Sequence, residues 1–415
     1  IDRIVCQKTE TPGGEWNDGS CMGLNGDKAQ DKHWAAVDWK NNNMYVTWTQ
    51  FDQYGTSNPD YYSNIMFSRS TDGGLSWSPA IRINEVPGDC IDDDNTTEGA
   101  VPCVGPEGQI YVSWAGPAGL VFDRSFDQGV TWLEDDIFVS DIGGGWAYTI
   151  PGIYRANGLP VTTCDTSGGA YHGAIYINWS DQRNGSGDTD VWLVKSTDGG
   201  DTWSEPARVN DDPPGKHQFF TWMAIDQTNG YLYFVFYDRR NYENTMTDVY
   251  MARSTDGGET FTNFQVSAEP FVPNSNIFFG DYTNLTAHNN VIRPIWARCH
   301  NSQMSIWTAI VDPTLVGIEE EAASAVPVSM DQSYPNPFTE TTWFSFKLHE
   351  PSTVSLAVYD QLGRIVEVLI DHLQLPPGKH TYQFDSSGRG LSPGVYYFSL
   401  VSNDKVMRQK IVLAR

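Results

Sequence analysis

The sequence predicts an all-β protein, a five- or six-bladed β-propeller followed by a small C-terminal β-sandwich. Three observations carry that expectation. One turn motif recurs four times between short alternating strands, helical periodicity is almost absent, and charge and cysteine content change abruptly near residue 333. The 415 residues suit two or three domains, and 40% hydrophobic content with 13% aromatic residues supplies a sizeable core.

The recurring turns start 55, 71 and 58 residues apart. Their fixed positions are Ser70, Asp72, Gly74 and Trp77 in the first, and Ser125, Asp127, Gly129 and Trp132 in the second. Ser196, Asp198, Gly200 and Trp203 form the third, and Ser254, Asp256, Gly258 and Phe261 the fourth. Each follows an alternating strand such as Asn64-Ile-Met-Phe-Ser and precedes a shorter one such as Ala80-Ile-Arg-Ile-Asn, so each reads as a hairpin turn. Aspartate can hydrogen-bond its own turn, glycine supplies positive φ, the hydroxyl closes the loop and the aromatic ring packs beneath it.

These S-x-D-x-G-x-T-W turns resemble the Asp box of sialidases and related propellers, over residues 25 to 312. Upstream of each lies a strand ending in an aromatic residue: Met44 to Trp48, Ile110 to Trp114, Ile175 to Trp179 and Tyr233 to Tyr237. A fifth copy, Val291 to Trp296, has no box after it, and strands such as Trp34 to Asp38 and Trp222 to Asp226 are candidates for the innermost position. Three or four strands per unit in five units make a propeller. The extra length around Asp141 to Gly169 reads either as a long loop or as a degenerate sixth blade. Asp2-Arg-Ile-Val5 is similar to the outer strands, which predicts that the N-terminus completes the last blade and removes the open sheet edges.

Ser333 to Arg415 holds 8 basic and 7 acidic residues, which leaves 18 basic and 45 acidic in residues 1–332. That break predicts a propeller over 1–312, a linker over 313–332 lacking aromatics and alternation, and a sandwich over 333–415. The tail contains Tyr334-Pro-Asn-Pro-Phe338, the run Val354 to Val366, Leu391-Ser-Pro-Gly-Val-Tyr-Tyr-Phe398 and a closing strand Lys405 to Leu413. In that order these resemble the type A sorting domain of type IX secretion cargo in Bacteroidota. The resemblance implies passage through the outer membrane, secretion machinery as a partner through residues 334–415, and a secreted or cell-surface location. The tail is either cut off after export or kept as a module.

A formal charge of -26 repels phosphate backbones and anionic lipids and excludes nucleic acid as a partner. No run approaches the 18 or so apolar residues that cross a bilayer, and the opening at Ile1 without methionine or apolar leader reads as a processed or trimmed end. Six cysteines, Cys6, Cys21, Cys90, Cys103, Cys164 and Cys299, lie in the acidic part without a C-x-x-C. An even number in an exported protein reads as disulfides, with Cys6–Cys21, Cys90–Cys103 and Cys164–Cys299 favoured among 15 connectivities and buried thiols as the alternative.

Chemistry in the propeller has several candidates. The sialidase resemblance implies three arginines clamping a carboxylate, a Tyr and Glu nucleophile pair and an acid/base Asp. The Phe-or-Tyr-Arg-Ile-Pro motif that delivers the first arginine is missing, Tyr154-Arg155 being the nearest string, and this weighs against hydrolysis. Arg183, Arg240 and Arg298, with Arg239 adjacent, follow the aromatic strands at equivalent positions and can converge on one face. The recurring D-x-R of Asp181 with Arg183 and Asp238 with Arg240 favours blade-to-blade ion pairs instead. Asp89, Asp92, Asp93, Asp94 and Glu98 place five carboxylates in ten residues, which suits Ca²⁺ or a solvated acidic loop. Glu98, Glu107, Glu134 and Glu205 read as turn residues, and His33, His172, His217 and His288 are too scattered for zinc. Trp16, Trp146, Tyr148 and Tyr171 have no role in the repeats and are free to stack on sugars. The reading that follows is an exported surface protein whose propeller binds glycans, adheres, or assembles with copies of itself. The alternative is an exo-acting sialidase-like hydrolase.

Overall fold

The computed structural model describes residues 1–11, 13–300, 302–311, 328–330, 333–360, 364–402 and 405–414, and divides into two units, Ile1–Gly317 and Ile318–Arg415. Every described element is a strand. In the first unit five antiparallel sheets follow one another along the chain, each built in sequence order from an inner to an outer strand. The first blade is Ala29–Asp38, Asn43–Phe51, Ser63–Ser70 and Ile81–Arg82; the second is Glu98–Val104, Ile110–Gly116, Gly119–Ser125 and Ile137–Ser140. The third is Val161–Cys164, Ile175–Asp181, Asp190–Ser196 and Ala207–Arg208; the fourth is Gln218–Asp226, Tyr231–Asp238, Asp248–Ser254 and Thr262–Gln265. Asn284–His288, Val291–His300 and Gln303–Thr308 make the fifth. The aromatic residue ending each second strand is a core residue: Trp48, Trp114, Trp179, Tyr237 and Trp296 are all buried. Such rings fill the wedge between neighbouring sheets.

The four repeated turns share one hydrogen-bond scheme. Ser125 Oγ donates to Asp127 Oδ1 at 2.8 Å and accepts from Gly129 N at 2.8 Å, while Thr131 Oγ1 donates to Asp127 Oδ2 at 2.7 Å. Ser70, Ser196 and Ser254 repeat the pattern with Asp72, Asp198 and Asp256. Partial burial pushes the Asp127 carboxyl up, but the hydrogen bonds outweigh it and hold its pKa at about 2. The stability it contributes is therefore present above the ordinary carboxylate range and lost as pH falls through about 2. Asp127→Ala also strips the bonds from Val130 N and Thr131 N. It is expected to cost about 2 kcal/mol, measured as a lower Tm, and an unchanged Tm would mean the flanking strands alone hold the turn.

These turns also join the blades. Gly129 has φ +81°, and a Cβ there would sit 2.3 Å from the Phe67 ring of the preceding blade; Gly200 stands likewise 2.3 Å from Phe122. Glycine is required for the approach as well as for the angle. A basic side chain just before each of the first three turns reaches the next one. Arg69 Nη1 donates to Gln128 O at 2.7 Å, Arg124 Nη1 to Gly199 O at 2.6 Å, and Lys195 Nζ to Gly257 O at 3.3 Å.

Several expectations are corrected. Ile4–Cys6 pairs with Ser20–Met22, not with the fifth blade, and this hairpin packs beside Trp48 and Met66 of the first. Ser20 Oγ donates to Gly74 O at 2.5 Å and accepts from Trp77 Nε1 at 2.9 Å, so the hairpin stands at the first box where a preceding blade stands at the others. The segment 141–169, open to two readings in the sequence, forms no four-stranded sheet of its own. It holds a two-stranded hairpin, Ala147–Tyr148 with Ala156–Asn157, and the inner strand of the third blade.

None of the expected disulfides is formed in this structure, where all six cysteines are unpaired. Val5 lies opposite Cys21 and Cys6 opposite Ser20, so Cys6 and Cys21 point to opposite faces of their hairpin. Cys103 packs against the core containing Cys164, not beside Cys90.

In the second unit, Val328–Met330, Thr341–Leu348 and Gly378–Asp385 form one sheet, and Ile365–Leu375, Ser352–Tyr359, Gly394–Ser402 and Lys405–Leu413 the other. Alternation decides the facing: Thr342, Phe344, Phe346 and Leu348 are buried in turn, against Val354, Leu356, Val358, Phe398 and Ile411. Asn336 of the Tyr-Pro-Asn-Pro-Phe motif donates to Lys410 O at 3.0 Å and accepts from Val412 N at 2.9 Å, clasping the last strand. The expected linker 313–332 lies outside the described residues except for Val328–Met330, which is a sandwich strand.

Candidate functional site

The inner strands of three blades are bulged at matching places. Register shifts fall between Asp31 and Trp34, Glu98 and Val101, and Phe219 and Trp222. The bulged positions take positive φ: Lys32 at +50°, Gly99 at +84° and Phe220 at +52°. Bulges re-aim side chains, and non-glycine residues at such angles are held only where their surroundings demand it. Beyond the bulges, Trp34 of the first blade, Trp222 of the fourth and Tyr282, just before the fifth, meet with ring centroids 5.6 to 6.4 Å apart. They leave a space of only about 10 Å³ on the axis. The channel is plugged.

Beside this plug, residues of three blade regions and the hairpin enclose a pocket of about 70 Å³ lined by Lys32, Asp92, Glu98, Trp146, Arg155 and Asp281. Lys32 Nζ lies 3.8 Å from Asp31 Oδ2, 3.8 Å from Glu98 Oε1 and 3.6 Å from Asp281 Oδ2. Arg155 grips Asp281 through Nε at 2.7 Å and Nη2 at 2.6 Å and reaches Asp92 at 3.4 Å. Tyr54 OH donates to Asp92 at 2.6 Å. Glu98 is fully buried, and neither of its oxygens has a hydrogen-bond partner. Burial pushes its pKa up to about 8, with the charge of Lys32 opposing and Asp92, Asp31 and Asp281 adding to the rise. Burial thus favours the protonated acid at Glu98, 3.8 Å from the Lys32 cation.

The hairpin covers this pocket. Trp146 Nε1 donates to Thr96 O at 3.2 Å, Ala147 N to Asp94 Oδ1 at 2.8 Å, and Asn157 Nδ2 to Asp281 O at 2.9 Å. Its turn packs Ile150 and Ile153 into the core of the fourth and fifth blades. Around the mouth stand exposed rings, each tied to a lining residue. Tyr54 holds Asp92, Phe278 lies 5.1 Å under the Arg155 guanidinium and meets Tyr154 edge-on at 6.2 Å, and Tyr282 follows Asp281.

The sequence candidates distribute differently. Arg183 binds Asp181 of its own strand end at 2.6 Å and lies over Trp192, and Arg240 binds Asp238 at 2.8 Å and Asp211 at 2.5 Å. Arg298 reaches Glu269 at 3.5 Å over Trp307. None of the three lines the central pocket; each D-x-R ion pair closes within its own blade, while Arg183 Nη2 also reaches Asp141 O at 3.3 Å and Arg240 Nη1 reaches Asp211, both in segments leaving the preceding blade. Of the acidic loop, Asp92 and Glu98 reach the pocket, Asp94 holds the hairpin, Asp89 accepts from Thr96 Oγ1, and Asp93 accepts from Asp94 N. Among the described residues no three His, Cys, Asp or Glu side chains gather as a metal centre. Trp146 and Tyr148 are buried by the hairpin, Tyr171 packs on Gly257, and Trp16 is exposed. Lys32, Arg155 and Asp281 were not singled out by sequence, although Arg155 stands in the one near-match to the arginine motif.

Comparison with known proteins places the tail. The secretion system C-terminal sorting domain matches residues 332–414. The tail is a sorting domain. It directs type IX export to the cell surface or extracellular space, and no described helix is long and apolar enough to cross a membrane. No curated protein matches the chain. Among solved structures, the Hadza microbial sialidase Hz136 is 17% identical over 73% of this chain and 58% of its own, with a TM-score of 0.44. A Trypanosoma rangeli sialidase is 12% identical over 98% and 79%, with a TM-score of 0.40. The catalytic domain of a Coprinopsis cinerea GH62 α-L-arabinofuranosidase is 11% identical over 68% and 90%, with a TM-score of 0.37. Identities this low say nothing of substrate or activity.

Proposed function

We propose that this exported protein binds glycans on the face of its propeller that bears the aromatic rim and the covered charged pocket. The rim carries the reading. Tyr54, Tyr154, Phe278 and Tyr282 expose flat rings beside carboxylates, an arginine and a lysine, and sugars are held by stacking on rings with polar groups on their hydroxyls. Binding is favoured over hydrolysis because the other carboxylates lining the pocket are engaged: Arg155 takes both oxygens of Asp281, and Tyr54 and Arg155 both bond Asp92 Oδ2. A pocket of about 70 Å³ also has room for about two waters and none for a sugar ring while the hairpin covers it.

Isothermal titration of the full chain with a polysaccharide panel is expected to find a ligand whose affinity falls roughly tenfold in Tyr154→Ala with Phe278→Ala, from about 0.5 to 1.5 kcal/mol per lost ring contact. A ligand bound equally well by that double variant would sink the rim reading. The second reading, a hydrolase with Glu98 as general acid, is favoured by its raised pKa of about 8. It predicts turnover of aryl glycosides that Glu98→Gln abolishes.

A further inference from the structure

A second cleft, of about 260 Å³, opens between the third and fourth blades and shares no lining residue with the central pocket. Its lining includes Lys216, His217, Arg239, Tyr242, Glu243 and Thr245. Arg239 is only 3% exposed. Its Nε donates to Thr247 Oγ1 at 3.0 Å and its plane lies over Phe219, yet Nη2 has no partner. Among the described residues no ion pair to it is found, and burial draws its pKa down to about 10. The neighbouring acids are engaged elsewhere. Asp188 accepts from Gly215 N at 2.7 Å and Lys216 N at 3.3 Å, and Glu243 pairs with Lys216 Nζ at 2.8 Å. In a chain of net charge -26, a buried guanidinium left without an anion is costly. Arg183 and Arg240, by contrast, each hold an aspartate.

We propose that this cleft is an oxyanion-binding site, taking the carboxylate or sulfate group of a small acidic ligand, with Arg239 as its charged floor and His217 and Lys216 at its sides. Guanidinium forks suit planar and tetrahedral oxyanions, and the bound anion supplies the countercharge the fold omits. The site is separate from the central pocket, so it stands or falls independently of glycan binding there.

His217 reports occupancy. Its Nδ1 lies 3.0 Å from Thr189 Oγ1, and burial followed by the charge of Arg239 lowers its pKa to about 4, Asp188 opposing. Lys216 and Glu243 are the other charged groups lining the cleft. The test is NMR titration of the histidine rings of the full chain with sodium sulfate, sodium galacturonate, or sodium chloride at matched ionic strength. Sulfate, galacturonate or both are expected to raise the His217 pKa by at least one unit while chloride does not, and which of them acts identifies the source of the oxyanion. Arg239→Gln is expected to abolish the shift. Should that variant not fold, Lys216→Met is expected to weaken anion affinity several-fold with the His217 shift at saturation retained. A His217 titration unmoved by sulfate and galacturonate, or moved equally by chloride, overturns the site.

Discussion

At pH 9 the Glu98→Gln variant is expected to melt well above the parent protein, and at pH 4 the two are expected to melt together. Glu98 is fully buried, and its pKa rises from 4.5 in the unfolded chain to about 8 in the fold. Below pH 4.5 it is protonated in both states and costs nothing. Between those values the folded protein binds the extra proton, so parental stability falls as pH rises, by about 1.4 kcal/mol per pH unit and on the order of 4 kcal/mol in all. The neutral amide has no such slope. Lys32 keeps Asp31 at 3.8 Å and Asp281 at 3.6 Å in the variant, so the substitution leaves no orphaned cation. Tm measured from pH 4 to 9 decides the matter: parallel profiles for parent and variant would show that Glu98 is ionised in the folded protein.

Arg155→Met is expected to speed amide exchange across residues 146–157 by about 10- to 100-fold, while the blades exchange as before. Charge-assisted hydrogen bonds contribute about 1.5 to 3 kcal/mol, and Arg155 makes two of them to Asp281 from a hairpin of only two residue pairs. Its side chain is 41% exposed, which discounts the ion pair, but Asp281 at 11% is sheltered. Global stability should move less than hairpin opening, because Lys32 still faces Asp281. Hydrogen-exchange mass spectrometry reads the difference. Unchanged protection of 146–157 would mean that the Trp146 and Ala147 bonds hold the cover without Arg155.

The blades were legible in the sequence because box chemistry is local: serine, aspartate and glycine bond within seven or eight residues, and the strands around them alternate. The export sandwich was legible for the same reason, its motifs being edge clasps and tight turns. The central site was not. Lys32, Glu98, Arg155 and Asp281 are brought together by ring closure across some 250 residues of sequence, and Glu98 looked like part of an acidic turn because nothing local marks the bulge that follows it. A signal was present in Arg69-Ser70, Arg124-Ser125 and Lys195-Ser196, where a basic residue precedes each of the first three turns. It marks a blade-to-blade contact beside those that Arg183 and Arg240 make to Asp141 and Asp211.

Those basic residues fasten three consecutive junctions at the rim, and a large aromatic core binds the fourth blade to the fifth. Between the fifth and the first, no buried apolar cluster among the described residues bridges the two sheets; contact there rests on Tyr282 with Trp34 and Asp281 with Lys32, close to the axis. A wheel with one dissimilar joint has a preferred place to part. Pulled or chemically stressed, this one should spring open into a C at that joint, dismantling the axial pocket while most of its spokes are still intact.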